Sequence, residues 1–356
     1  MTRILIAGGG TGGHVLPALA IGRELRDHHN AELHYVGTAR GMETRLVPEA
    51  GFPLTLISAG QLKNVSLATR VRTLSDLPNG TLACFRLLRQ FRPDVVIGVG
   101  GYASGPAMIA AILRGTPTLA FEPNAYPGLA NRIVGRYVRA AAVNFEETKP
   151  YFRNAHLTGI PVRKEFFELP QHPPQAAPHL LIFGGSQGAG IFNRTLPQIV
   201  LQLLNHVPGL TILHQAGAAQ ADTTRAAYQA TGADSTRYQV HGFLDDMPVR
   251  FAEASLVLAR SGASTVAELA AARKPSLLVP FALAADDHQR KNAEALATAG
   301  AARMLLERDL TPETLLTQLT TLLKEQAALT DMSERVARFA RPNAVTEIAE
   351  LALSLK

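Results

Sequence analysis

Three glycine-rich turns in this chain each follow an apolar run of strand length, and each presents a residue that chemistry can use. The first lies in "RILIAGGGTGGHVLPALAIGREL", where Thr11, Gly12, Gly13 and His14 stand at a helix start. Backbone N–H groups at such a turn approach a ligand closely at the positive end of a helix dipole, which suits an anion or a sugar. An imidazole in that position is biased toward its neutral form and is a candidate base. The second, "VVIGVGGYASGPA", carries Gly100 and Gly101 with Tyr102 at its tip. The third, "HLLIFGGSQGAGIFN", places Ser186 among free N–H groups, a nest for a phosphate or diphosphate. Arg163 in "GIPVRKEFF" is a guanidinium that can reach such a diphosphate from the side.

Other polar clusters support several chemistries. In "ARSGASTVAELAAA", residues Ala263, Ser264 and Thr265 open another helix, with Glu268 about one turn inside. A carboxylate there can accept both hydroxyls of a ribose. Thr265 and Glu268 also have the spacing of a capping box, which the local pattern favours. "DDHQRKNAEAL" supplies Asp286, Asp287, His288, Gln289 and Asn292, but consecutive ligands make a poor closed metal site and no second cluster completes one. No Asp-x-Asp occurs, so dipoles and Arg163 are expected to stabilise any diphosphate without a metal. Glu122 and Asn124 in "FEPNAYPGLANR" are expected to face a ligand cleft from a strand end. The spacing Gly8-x-Gly10-x-x-Gly13 also suits a dinucleotide, but the second strand ends in Val36-Gly37-Thr38, without the acid that holds a ribose. A reading as an NAD(P)-dependent oxidoreductase is weakened accordingly.

The elements that must position these residues alternate between strand and helix. Strands are predicted near 3–8, 31–37, 54–58, 94–98, 118–122 and 141–145, then near 179–185, 210–217, 238–243, 256–260 and 276–281. "ELPQHPPQAAPH", with four prolines, reads as a linker between two halves, each of which opens as strand, glycine turn, helix. The expectation is an α/β protein of two Rossmann-like parallel-sheet domains facing an interdomain cleft, with ligands beyond the carboxyl ends of the strands.

At 356 residues the chain is long enough for two domains. Its single cysteine, Cys84, excludes a disulfide framework and fits a reducing compartment. The chain opens on a strand, with no signal peptide expected, and no apolar run approaches the ~20 residues of a spanning helix. A cytoplasmic protein is expected. Residues 1–159 hold 17 Lys and Arg against 10 Asp and Glu, whereas residues 160–356 hold 18 against 19. The excess concentrates in residues 61–92, where Lys63, Arg70, Arg72, Arg86, Arg89 and Arg92 interleave with Leu62, Val65, Leu67, Val71, Leu74, Leu77, Leu82 and Phe85. That mixture suits an anionic membrane surface. A solvated helix face over core positions explains it as well, and residues 81–92 give no clean basic stripe at helical period. Nucleic acid is not an expected partner, since aromatic residues make up only 6% and no recognition motif is present.

Taken together, these segments resemble the MurG family of bacterial peptidoglycan glycosyltransferases. The resemblance runs through "GGGTGGHVLPALAIGREL", "GVGGYASGP", "PNAYPGLAN", "GIPVR", "GGSQGA", "GFLDDM", "RSGASTVAELAAA" and "DDHQRKNAEAL", nearly the whole chain in the family's order. It implies a GT-B fold, inverting transfer of N-acetylglucosamine from UDP-GlcNAc to undecaprenyl-diphosphate-linked muramyl-pentapeptide, and no required metal or cofactor. It further implies an acceptor-binding, membrane-facing domain over 1–159, a donor-binding domain over 160–341, and a helix near 342–356 packing back on the first. The family's pattern assigns Arg163 and Ser186 to the diphosphate, Glu268 to the ribose and the backbone at Leu244 to the uracil. Ala263, Ser264, Thr265, Gln289 and Asn124 would surround the sugar, with Thr11, Gly12 and Gly13 approaching from the opposite lip. His14 would be the base, and Gly100, Gly101 and Tyr102 would hold the acceptor diphosphate. The implied location is peripheral, on the cytoplasmic face of the plasma membrane. The chain departs from the family at Pro123, where glutamine is common, at His288, and at Ile160, where asparagine is common. The rival readings are a GT-B enzyme with another lipid acceptor and a non-catalytic nucleotide-sugar-binding protein.

Overall fold

The computed structural model describes residues 1–60, 67–170 and 177–356, with the side chains of 67–76 excepted. The chain divides into two units, Met1–Pro161 with Asn343–Lys356, and Val162–Pro342. The first is a seven-stranded sheet of β1 (Arg3–Ala7), β2 (Glu32–Gly37), β3 (Leu54–Leu56), β4 (Val95–Gly98), β5 (Thr118–Glu122), β6 (Ala140–Val143) and β7 (Ala155–Leu157), in the order β3-β2-β1-β4-β5-β6-β7. The second holds β8 (His179–Phe183), β9 (Thr211–Gln215), β10 (Tyr238–His241), β11 (Leu256–Ala259), β12 (Ser276–Leu278) and β13 (Arg303–Met304), in the order β10-β9-β8-β11-β12-β13. Every pairing is parallel, with registers such as Ile6↔Ile97 between β1 and β4 and Leu258↔Ile182 between β11 and β8.

Parallel pairing requires crossovers, and helices supply them. The first unit carries α1 (Gly12–His29), α2 (Glu43–Glu49), α3 (Leu67–Phe91), α4 (Ser104–Leu113) and α5 (Leu129–Val134). The second carries α6 (Gly190–His206), α7 (Ala221–Gln229), α8 (Met247–Glu253), α9 (Ala263–Ala271), α10 (His288–Thr298), α11 (Pro312–Lys324) and α12 (Gln326–Ala337). With both sheet faces covered, central strands are continuous apolar runs rather than alternating ones. Val95–Gly98, Ala140–Val143 and Leu256–Ala259 are buried at every residue. The last helix, α13 (Ala344–Leu353), returns to the first unit, where Thr346 Oγ1 donates to Glu24 Oε1 of α1 at 3.0 Å.

All eleven strands expected from the sequence are present, each within a few residues of its expected bounds. The two that were not expected, β7 and β13, have three and two residues at sheet edges, too short to print a period. The described residues of the proline-rich stretch belong to the second unit, so the chain crosses between units before that stretch, at Pro161–Val162. Residues 171–176 and Lys63 lie outside the described residues, as do the side chains of Arg70 and Arg72. On the described part of α3, Cys84, Leu87 and Leu88 are buried, while Leu82, Arg86 and Arg89 are exposed at i, i+4 and i+7. Burial pushes the Cys84 thiol up to about 12, which leaves it inert.

Candidate functional site

In the first unit the site is made where β1 and β4, adjacent strands, run out at their carboxyl ends. After β1 the chain turns through Gly10, whose φ of 99° favours glycine, and enters α1. Thr11 precedes the helix in extended conformation and provides no side-chain cap, so the opening N–H groups at Gly12 and Gly13 are not capped by it. Pro17 has no N–H to give to the carbonyl four residues back, which leaves the Gly13 carbonyl without its α-helical partner as well. His14 is the third residue of α1 and half-buried. Its ring lies against the second turn: a Cβ at Gly100 would stand 2.9 Å from His14 Cε1. A Cβ at Gly101 would stand 2.2 Å from the Gly9 carbonyl oxygen, so the two turns meet backbone to backbone. Tyr102 completes the surface, 41% exposed, with Cε2 facing Gly10. Thr11, Gly12, Gly13, His14, Gly100, Gly101 and Tyr102 are thus brought together.

Asn124 follows β5, next to β4 in the sheet. Its backbone N–H and its Nδ2 both donate to Glu122 Oε1, at 3.0 and 3.1 Å. Contrary to the sequence expectation, Glu122 does not face outward. It is 2% exposed and also accepts from Gly128 N–H and Asn131 Nδ2. Burial pushes its carboxyl up, against the pull of these four donors. A buried carboxylate with four donors shapes the 122–128 loop; it does not contact a ligand.

Sequence reasoning missed Glu43. Its carboxylate, 1% exposed, reaches from the start of α2 into the first turn. Oε2 accepts from Gly10 N–H at 2.8 Å, and Oε1 accepts from the Thr38 N–H and hydroxyl at 2.9 and 3.0 Å. An acid does therefore stand at the end of β2, but it is spent internally and unavailable to a ribose. Three glycines crowd it: Cβ atoms at Gly9, Gly37 and Gly41 would come within 2.1, 2.5 and 1.8 Å of its side chain. Those glycines were the only signal in the sequence, and they do not point to the acid they surround.

The second unit repeats the plan at β8 and β11, again adjacent. Between β8 and α6 the turn Gly184–Ala189 uses positive φ at Gly185 and Gly188, closed by Gly188 N–H to the Gly185 carbonyl at 2.9 Å. Gly188 approaches the end of β9 so closely that a Cβ would lie 2.0 Å from the Ala216 carbonyl oxygen. Ser186 is exposed at the tip, and no side chain caps the start of α6. α9 follows β11, the strand paired with β8. Its N-cap is Gly262 and no side chain caps it, which puts Thr265 inside the first turn. The capping box expected for Thr265 and Glu268 is not formed, because the helix starts three residues earlier than that box requires.

Glu268 is instead half-buried and receives no hydrogen bond from any described residue. Burial raises its pKa to about 7, opposed by the positive charge of Arg163. Arg163, exposed, lies over the ring of Phe166 at 5.1 Å. Phe166 packs edge-on against Phe251 of α8, and Phe251 packs on Phe183 at the end of β8. This aromatic chain links Arg163 to the end of β8, the strand that leads into the turn of Ser186. Leu244 is buried in the loop after β10, two positions across the sheet from β8. Gln289 is tied to the same end: Ser261 Oγ donates to its carbonyl at 2.8 Å, and its Oε1 accepts from Phe281 N–H at 3.0 Å. His288 turns away to the Ala285 carbonyl through Nδ1, at 2.6 Å.

An ion pair between a buried arginine and a half-buried glutamate, also missed, holds these loops. Arg260, 8% exposed, donates to the carbonyls of Val279 and Pro280 at 3.1 Å each and to Glu307 Oε2 at 2.8 Å. Its guanidinium lies over Phe192 of α6 and over Phe281. Burial pushes the Glu307 carboxyl up, but Arg260 and the Ala282 N–H together carry it below its ordinary value. The signal available in the sequence was an arginine directly after the apolar run "LVLA". Among the described residues no group of three or more His, Cys, Asp or Glu side chains could hold a metal, and no helix is long and apolar enough to cross a membrane.

Two family models match, the glycosyltransferase family 28 N-terminal domain over residues 4–143 and its C-terminal domain over 179–348. A curated relative from Anaeromyxobacter dehalogenans, named "UDP-N-acetylglucosamine--N-acetylmuramyl-(pentapeptide) pyrophosphoryl-undecaprenol N-acetylglucosamine transferase", is 42% identical over 99% of this chain and 93% of its own. One of the same name from Myxococcus xanthus is 39% identical over 100% of this chain and 93% of its own. A crystal structure of Acinetobacter baumannii MurG superposes with a TM-score of 0.83 at 32% identity, covering 99% of this chain and 100% of that one.

Proposed function

We infer that this chain, which belongs to glycosyltransferase family 28 and within it to the MurG enzymes, transfers N-acetylglucosamine from UDP-GlcNAc to the C4 hydroxyl of undecaprenyl-diphosphate-linked muramyl-pentapeptide, a step of peptidoglycan synthesis. The observation that carries the donor assignment is Glu268, a half-buried carboxylate without a hydrogen-bond donor of its own, within reach of the positive charge of Arg163. Such a carboxylate accepts the two hydroxyls of a ribose, which supply the donors that its burial lacks. Ser186, the N–H groups opening α6, and Arg163 take the diphosphate, and the backbone at Leu244 reads the uracil. Ala263 to Thr265 and the Gln289 amide take the sugar.

Transfer is a single displacement at the anomeric carbon. His14 removes the proton of the acceptor hydroxyl, and a base so placed is worth ~10²–10⁴-fold. The charge that develops on departing UDP is met by Arg163 and the α6 dipole, without a metal. Gly100, Gly101 and Tyr102 hold the acceptor diphosphate. The acceptor lipid gives the exposed face of α3, with Leu82, Arg86 and Arg89, its use: an apolar contact flanked by cations against an anionic membrane surface, on the cytoplasmic side.

Incubation with radiolabelled UDP-GlcNAc and the lipid-linked muramyl-pentapeptide tests the reading, with UDP-glucose and NADH as controls. Label is expected to move to the lipid fraction only with UDP-GlcNAc and the acceptor together. Failure to transfer, or equal transfer from UDP-glucose, would refute it.

A further inference from the structure

The carboxylate of Glu43 does something that no ligand-binding role explains. Almost fully buried, it is paired with no described cation, and its charge is satisfied by three donors, the N–H groups of Gly10 and Thr38 and the Thr38 hydroxyl. Hydrogen bonds to a charged acceptor inside a protein are the strong kind, and a buried charge is retained only where such donors converge on it. Gly9, Gly37 and Gly41 leave room for it; any side chain at those positions would drive into it or its methylenes. The Gly10 N–H is the group that a glycine turn of this spacing offers to a phosphate. Here it already points at an anion belonging to the protein.

We propose that Glu43 is a positioning residue of the transfer reaction: its carboxylate is the built-in anion of the first glycine turn, closing that turn to phosphate and fixing the segment that presents His14. The chain of contacts is continuous. Glu43 fixes Gly10, Gly9 abuts Gly101, and the ring of His14 lies on Gly100. An acceptor diphosphate is thereby directed away from Gly10, where it would meet both a spent donor and a like charge, and toward the start of α1 and the Gly100–Tyr102 turn. The inference rests on the assignment of His14 and of the lipid acceptor given above.

The test is steady-state kinetics of the full chain carrying Glu43→Ala, with donor affinity measured separately. Truncation at Cβ deletes a group with the size and charge of acetate. The expected result is a loss of at least tenfold in kcat/KM for the lipid acceptor, UDP-GlcNAc affinity within twofold of wild type, and partial recovery of turnover on adding sodium acetate but not sodium chloride. Acceptor turnover within twofold of wild type, a parallel loss of donor affinity, or no gain from acetate over chloride would overturn it. Should the alanine variant not fold, Glu43→Gln decides the matter. Its amide sets an N–H against either Gly10 or Thr38, so acceptor turnover should fall with donor affinity intact, and unchanged turnover refutes the proposal. Near-normal turnover in His14→Ala would remove the base assignment instead, and the acetate response tells the two failures apart.

Discussion

Donor affinity should depend on pH through Glu268, and the size of the effect follows from the structure. The carboxyl titrates at about 7, because burial disfavours its charge more than Arg163 favours it. Ribose hydroxyls donate best to the ionised form, so the donor binds that form preferentially and pulls the proton off. With a pKa of about 7, roughly one-eleventh of the free protein is ionised at pH 6 and roughly ten-elevenths at pH 8. Affinity for UDP-GlcNAc should therefore rise about tenfold between those limits, equivalent to ~1.4 kcal/mol. The diphosphate of the donor is a diester that stays ionised throughout, so the ligand adds no slope of its own. Glu268→Gln should bind weakly at both ends and without this slope, and the difference between the two proteins removes any part played by His288. Calorimetry at pH 7 in two buffers of unlike ionisation enthalpy gives a second reading: about half a proton released per donor bound by wild type, and none by the variant. A wild-type affinity that is flat from pH 6 to 8, or an identical slope in Glu268→Gln, refutes the assignment of this carboxylate to the ribose.

Further consequences concern the base, the core and the second turn. His14→Ala should lower kcat by ~10²–10⁴-fold with donor affinity nearly unchanged, as measured by single-turnover transfer beside donor titration; near-normal turnover removes it as the base. His214, fully buried with Nδ1 3.1 Å from the Tyr228 hydroxyl, is pushed down to about 3 by burial, against an ordinary value of 6.5. Between those values the unfolded chain binds the extra proton, so the stabilisation is complete above pH 6.5 and is lost as pH falls toward 3. By pH 5 that loss amounts to ~2 kcal/mol relative to pH 8, and urea unfolding should show His214→Gln losing less over the same interval. Gly188→Ala combines a positive φ with a Cβ 2.0 Å from a backbone oxygen. It should destabilise the second unit by more than ~2 kcal/mol and abolish donor binding, and a protein of unchanged melting temperature would contradict the geometry of that turn.

What the sequence made legible is what chain-local physics writes. Strand, glycine turn and helix in succession are contiguous signals, so the two halves and the positions of His14, Ser186 and Tyr102 could be read directly. Glu43 could not, because its partner Gly10 lies 33 residues away and no period links an acid to the glycines that shelter it. The same holds for Arg260 and Glu307, whose ion pair spans 47 residues and joins loops that only the folded sheet brings side by side. Glu122 was legible as polar and near a strand end, but not its direction, since four donors from Asn124, Gly128 and Asn131 turn it inward. For Glu268 the local pattern pointed to a cap. The helix begins at Ala263 after a glycine N-cap, and what remains is a carboxylate that its own backbone does not satisfy. On α3, burial of Cys84, Leu87 and Leu88 reveals the face shared by Leu82, Arg86 and Arg89, which the interleaved sequence had hidden.

The stereochemistry of the product tests the central claim most directly. One displacement at the anomeric carbon, with the acceptor hydroxyl deprotonated on one side and UDP leaving on the other, must invert the donor's α linkage. Proton NMR of the lipid-linked disaccharide made by this chain should show a β linkage to the muramyl C4 oxygen. An α linkage, or free N-acetylglucosamine in place of the disaccharide, would contradict the account.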